Sequence, residues 1–201
     1  MVSKKKKIGL CLVFAVVLAF GLAIHGNVIL LPFERSSEAR LFDGLDDDRV
    51  LVGASHIVFV GKVIKKSGQT PGEAGPLTQF EVQVVQNIKG NLTDTVTMNQ
   101  EGGYENGILS LVENQPLLIP GTTYLLSART DGKGNYLVLP FARGRLVVST
   151  DASLTKEQLI SVAAKDQNVL ALQEAYVHEI PLQVDVNNGN AWNSYTSKQV
   201  R

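Results

Sequence analysis

HIVFVGKVI (residues 56–64) and TQFEVQVVQNI (residues 78–88) decide between a helical and a β protein. The first is crowded with β-branched and aromatic residues and has no polar side, so it is expected to be a strand buried over much of both faces. Gly61 within it is placed for a bulge or sharp bend. In the second, Phe80, Val82 and Val84 alternate with Gln79, Glu81 and Gln83. That period of two puts one face on a core and the other in water. Between them SGQTPGEAGP (residues 67–76) has the glycine and proline content of a loop.

Outward along the chain, Lys89-Gly90-Asn91 is a turn, and Val96 with Met98 marks a third strand. EGGYENG (residues 101–107) holds three glycines, whose backbone is costly to order, so a long exposed loop is expected. Leu109 to Ile119 carries apolar positions that need cover, while Pro116 and Pro120 keep much of it out of a central strand. TTYLLSA (residues 122–128) reads as a fourth strand. Asp131-Gly132-Lys133-Gly134 is a hairpin signal leading to a return strand at Tyr136 to Leu139, and Arg145 to Ser149 supplies a fifth. Short strands punctuated by turns point to an antiparallel barrel or sandwich, because parallel strands need long helical crossovers.

One helix is expected over 155–177. Thr155 is its N-cap, Gln158 the reciprocal partner, and Leu154 with Leu159 the staple around them. Leu159, Val162, Ala163, Val169, Leu170, Tyr176 and Val177 form the stripe that packs on the sheet. Residues 181–201 read as a polar tail with Trp192 as its exception, and residues 32–48 as a linker or short helix. The run Asp46-Asp47-Asp48 fits a solvated stretch or a helix start, since it lacks the alternating ligands and glycine of a calcium loop. The folded domain is thus placed at 49–180.

The first 31 residues are of another kind. Lys4 to Lys7 form a basic head, followed by seventeen residues, Ile8 to Ile24, without a charge. As a helix they would reach about 26 Å, close to the hydrocarbon thickness of a bilayer. A cleaved signal peptide and an uncleaved anchor both fit. Gly21-Leu22-Ala23 is followed by Ile24, His25, Gly26, Asn27 and a second apolar run, a poor cleavage context that favours the anchor. Either way the lysines stay on the cytoplasmic side and the domain lies outside.

Cys11 is the only cysteine, so the domain has neither an internal disulfide nor a cysteine zinc site. Net charge is zero, and with Lys4 to Lys7 at the head the rest carries a mild acidic excess, which gives no support to binding nucleic acid. His25, His56 and His178 are scattered without metal-ligand spacing, and no nucleophile motif accompanies them. Gly102-Gly103 is not followed by the Lys-Ser/Thr of a phosphate loop. No catalytic residue, cofactor or metal is assigned. Four residues are candidates for partner contact: Tyr104 at a loop tip, Arg143 and Arg145 flanking Gly144, and Trp192. Asn91-Leu92-Thr93 fits an N-glycosylation acceptor.

LVGASHIVFVGKVIK (residues 51–65), TQFEVQVVQNIKG (78–90), VTMNQEGG (96–103) and LLIPGTTYLLSA (117–128), in this order, resemble bacterial exported proteins related to the netrin-like and tissue-inhibitor-of-metalloprotease superfamily. The resemblance implies a mostly β fold: a five-stranded antiparallel OB-like barrel (the oligonucleotide/oligosaccharide-binding type) with a C-terminal packed helix. With no cysteine outside the apolar run, the disulfides and the zinc-directed cysteine of inhibitory members do not carry over. The expected role is a membrane-tethered extracellular binding or adaptor domain, non-catalytic, for a protein, peptide or cell-wall polymer. The alternatives are a secreted protease inhibitor or regulator of a surface enzyme, and an enzyme whose site is assembled from distant loops.

Overall fold

The computed structural model describes residues 33–37, 45–72, 75–130, 134–140 and 142–181. The apolar segment 8–24, His25, most of the Asp131 to Gly134 turn and Trp192 lie outside them. Among the described residues no helix is long and apolar enough to cross a membrane.

The fold is mostly β. In chain order the elements are β1 (Phe33–Ser37), α1 (Asp48–Ala54), β2 (Ile57–Gly72), β3 (Gly75–Lys89), β4 (Thr95–Glu101), β5 (Gly103–Glu105), β6 (Ile108–Val112), β7 (Thr123–Thr130), β8 (Tyr136–Val138), a 3-10 turn (Ala142–Gly144), β9 (Arg145–Ser149), α2 (Lys156–Ala163) and α3 (Gln167–Val177). The acidic triplet opens α1, where the Asp47 carboxylate caps the helix by accepting from Arg49 N at 2.9 Å.

Six strands make one mixed sheet in the order β2-β3-β4-β8-β7-β9, and β2 also pairs with β7. β2 meets β3 antiparallel (Val63↔Val82) and β7 antiparallel (Phe59↔Leu126). β3 meets β4 antiparallel (Phe80↔Met98). β8 returns antiparallel along β7 (Ala128↔Val138), so it runs in the direction of β4, and Met98↔Tyr136 pair in parallel. The expectation of a wholly antiparallel arrangement is therefore corrected. Pairings that run from β2 through β3, β4, β8 and β7 back to β2 link an odd number of strands, and an odd circuit cannot alternate direction throughout. β9 follows β8 along the same edge of β7 (Leu126↔Arg145). A separate three-stranded sheet has the order β1-β6-β5.

Alternation sorts β2 and β7 between two cores. Ile57, Phe59 and Val63 join Phe80, Val82, Met98, Leu126 and Val138 on one side. Val58, Val60 and Leu125 face Leu51 and Val52 of α1, Leu159 and Ala163 of α2, and Val169, Leu172 and Ala175 of α3. That explains why the first stretch has no polar side: both of its faces are covered. Full burial of each large side chain contributes about 1.5–3 kcal/mol.

Three local expectations are corrected. Residues 67–72 and 75–76 are strand, not loop: β2 and β3 continue to Thr70↔Leu77, Pro71↔Pro76 and Gly72↔Gly75, because cross-strand pairing satisfies a backbone that glycine alone would leave free. Residues 101–107 are not a long loop either. β5 and β6 form a hairpin turning at Asn106 (φ 51°) and Gly107 (φ 79°), the two positive φ values of the tightest hairpin turns. The single C-terminal helix is two, because Asp166 accepts from Asn168 N (2.9 Å) and Val169 N (3.1 Å) and so caps a new start.

Candidate recognition surface

Tyr104 lies in β5, opposite Leu109 of β6. On the other edge of β5 the Gln69 side chain takes the place of a neighbouring strand. Its Nε2 donates to Tyr104 O at 2.7 Å, and its Oε1 accepts from Tyr104 N at 3.1 Å. Just before Tyr104 the backbone is held again: Gly102 N donates to Pro76 O at 2.8 Å, and the Thr78 hydroxyl donates to Gly102 O at 2.6 Å. Side chains cannot be added there. A Cβ on Gly102 (φ 110°) would stand 2.8 Å from Ser110 O, and one on Gly103 (φ 153°) 2.4 Å from Gln69 Oε1. Gly102 thus serves close approach to the β6 backbone, and Gly103 close approach to the Gln69 and Thr78 side chains. The Tyr104 side chain remains 47% exposed on this fixed support.

The two arginines have other tasks. Arg143 Nε donates to Asp48 Oδ1 at 2.9 Å and Nη2 reaches the same oxygen, which ties the 3-10 turn to the start of α1. Arg145 Nη1 donates to Pro116 O, and Nη2 donates to Gln115 Oε1 at 3.0 Å. Gln100 grips the same stretch from β4, donating to Pro116 O (3.1 Å) and accepting from Leu118 N (2.8 Å). Segment 115–118 is thereby strapped between β4 and β9. Burial pulls the Arg145 guanidinium down to about 10. Glu101, which with Gln100 and Arg145 lines a cleft of about 10 Å³, the room of one water, is pushed up by burial. No hydrogen bond or ion pair among the described residues links Tyr104 to either arginine, and Trp192 lies outside them.

No family model and no curated protein matches this chain.

A second cluster surrounds the end of α1. His56 Nε2 is 3.2 Å from Arg129 Nη2, and Nδ1 is 3.1 Å from Thr130 O and 3.0 Å from Thr130 N. Thr130 N–H donates to Nδ1 and a guanidinium only donates, so both ring nitrogens face donors and the neutral ring, with one lone pair, accepts from one of them at a time. Arg129 Nη1 donates to Ala54 O at 3.0 Å. Lys89 Nζ donates to Val52 O at 2.8 Å and pairs with Glu179 at 2.5 Å. Ser55 Oγ donates to Leu51 O at 2.7 Å. The last carbonyls of α1 are thus met by two cations and a hydroxyl, the charge sign that a helix C-terminus favours. Burial and the Arg129 charge lower the His56 pKa. Among the described residues no three His, Cys, Asp or Glu side chains gather as a metal site.

Gln69, Gln100 and the His56–Arg129 pair were not singled out from sequence. Their partners lie 35, 16 to 18 and 73 positions away, and no local pattern marks a glutamine that will stand in for a strand.

Proposed function

We propose that this chain is a membrane-tethered extracellular recognition module, without catalysis of its own, whose mixed sheet is an OB-like barrel of the netrin-like kind and whose β5–β6 hairpin contacts a protein, peptide or cell-wall polymer. The barrel reading is supported by the return of pairing from β7 to β2 and by side chains packed on the side enclosed by that circuit. The extracellular location is supported by the four lysines preceding the apolar residues 8–24.

The observation that carries the recognition reading is Tyr104, an aromatic side chain half in solvent on a backbone gripped at both its N–H and its C=O. Tyrosine offers large contact area for two rotatable bonds, and a fixed support removes the ordering cost that a mobile loop would add on binding. Nucleic acid is a poor fit for the evenly balanced charge of the chain.

Affinity capture with the full chain on intact producing cells tests this directly. Tyr104→Ala is expected to weaken one recurrent partner about tenfold, the effect of losing an aromatic anchor. Equal recovery by both forms removes the hairpin from the reading. Labelling of the domain by a membrane-impermeant amine reagent is expected on intact cells, and labelling only after lysis overturns the location.

A further inference from the structure

The cluster at the end of α1 takes no part in the recognition surface, yet it joins three elements through one titratable ring. His56 stands between α1 and β2, and its own N–H donates to Ala128 O of β7 at 3.0 Å. Its ring meets two donors of β7, Thr130 N–H at Nδ1 and Arg129 Nη2 at Nε2, and Arg129 reaches across to Ala54 O, the final carbonyl of α1. We propose that His56 is an acid-sensitive latch: neutral, its single lone pair accepts from β7 beside the last turn of α1, and proton uptake by the ring, 3.2 Å from Arg129, loosens that helix from the sheet.

The chemistry is one proton gained at one nitrogen. The protonated ring has no lone pair, so both nitrogens become donors, facing Thr130 N at 3.0 Å and Arg129 Nη2 at 3.2 Å. It also adds a positive charge beside Arg129 and Lys89, the charged neighbours that act on it among the described residues. From β7 the facing group is Arg129, and from the end of β3 it is Lys89; both oppose protonation of the ring. Glu179, beyond α3, is engaged by that lysine, and Asp48, at the far end of α1, by Arg143. The Thr130 carbonyl, 3.1 Å from Nδ1, is the contact that favours the charged ring, since a protonated Nδ1 can donate to it.

The sign follows. The pKa of the ring is lowered in the folded chain, so the neutral form contributes stability above the free imidazole value of about 6.5, and that contribution is lost as pH falls through the lowered folded value. α1 has seven residues, too few to persist without tertiary support. Leu51 and Val52 oppose its release by their packing, so acid raises the frequency of local opening while the sheet persists.

Hydrogen exchange on the full chain in mild detergent reads the latch at the Leu51 and Ser55 amides, which close the hydrogen bonds to Asp47 O and Leu51 O. Between about pH 7.5 and about pH 5, protection at these amides is expected to fall several-fold relative to the Val63 amide, after correction for intrinsic exchange. In His56→Gln the relative protection is expected to be independent of pH. A wild-type chain that follows the same course as His56→Gln, or whose Val63 amide falls in step with Ser55, overturns the latch. Nitrogen-15 shifts of the wild-type imidazole give a readout that needs no variant: at about pH 7.5 one ring nitrogen is expected to be unprotonated and at about pH 5 a growing share of rings to carry both protons, and a ring doubly protonated at about pH 7.5 would overturn the proposal.

Discussion

The two faces of β2 and β7 are both buried, but they are held by different means. On one face Phe59, Phe80, Met98 and Leu126 come from strands already tied to each other by ladders of hydrogen bonds. On the other, Val58, Val60 and Leu125 are covered by three short helices that the sheet does not hydrogen-bond as strands. Those helices are pinned by point contacts: Lys89 on Val52 O, Arg129 on Ala54 O, Arg143 on Asp48, and Lys62 Nζ on Ala152 O (2.6 Å) and Leu154 O (3.0 Å) at the approach to α2. The helical face also carries the less complete polar pairing, with buried hydroxyls on Thr123 and Ser127 of β7 that have no hydrogen-bond partner. A ladder fails as a unit, whereas a cover held by caps and ion pairs can open locally and respond to pH.

The largest expected effect lies in the strand-built core. Phe80→Ala should cost about 3–5 kcal/mol in urea unfolding, since the surrounding strands cannot collapse into the space. Leu172→Ala in the helical cover should cost about 2–5 kcal/mol and release the α3 amides to exchange before those of β2. Simultaneous loss of both sets in Leu172→Ala would erase the distinction between the faces.

A smaller effect is expected from the helix break. Asp166→Ala removes the cap of α3 and should cost about 0.5–2 kcal/mol, with the loss of amide protection concentrated at Asn168 and Val169. An unchanged melting temperature would mean that packing alone sets where α3 begins. The smallest expected change has the opposite sign. Ser127→Ala deletes a buried hydroxyl without a partner, and its thermal midpoint should be unchanged or rise by the equivalent of up to about 1 kcal/mol. A clear fall would reveal that the hydroxyl is satisfied by an ordered water.

Much of the fold was legible in the residues. Phe80, Val82 and Val84 declared a strand with one buried face, and Thr155 with Gln158 declared the start of α2 through a capping box. Residues 67–76 and 101–107 were misread because their glycines signal conformational freedom, while the use of that freedom depends on which backbone lies alongside. In the first case it is the other arm of the same hairpin, and in the second Pro76, Thr78 and Gln69. The break at Asp166 was missed because apolar residues spread over 159–177 suggested one helix, although Val162, Leu170, Tyr176 and Val177 among them are exposed and Leu172 and Ala175 are buried instead.

The candidate surface was legible only in part. An aromatic in a glycine-rich stretch marked Tyr104, but Arg143 and Arg145, which the same reasoning placed in solvent, fasten the 3-10 turn and the 115–118 strap. Periodicity and capping are local, so the sequence by itself determined which stretches are strands or helices and which sides of them are apolar. Tertiary structure alone decided that β4 and β8 run parallel, that Gln69 substitutes for a strand, and that His56 meets Arg129. Those choices join groups from 35 to 73 positions apart, and the free energy that selects them exists only once the sheet has brought them together.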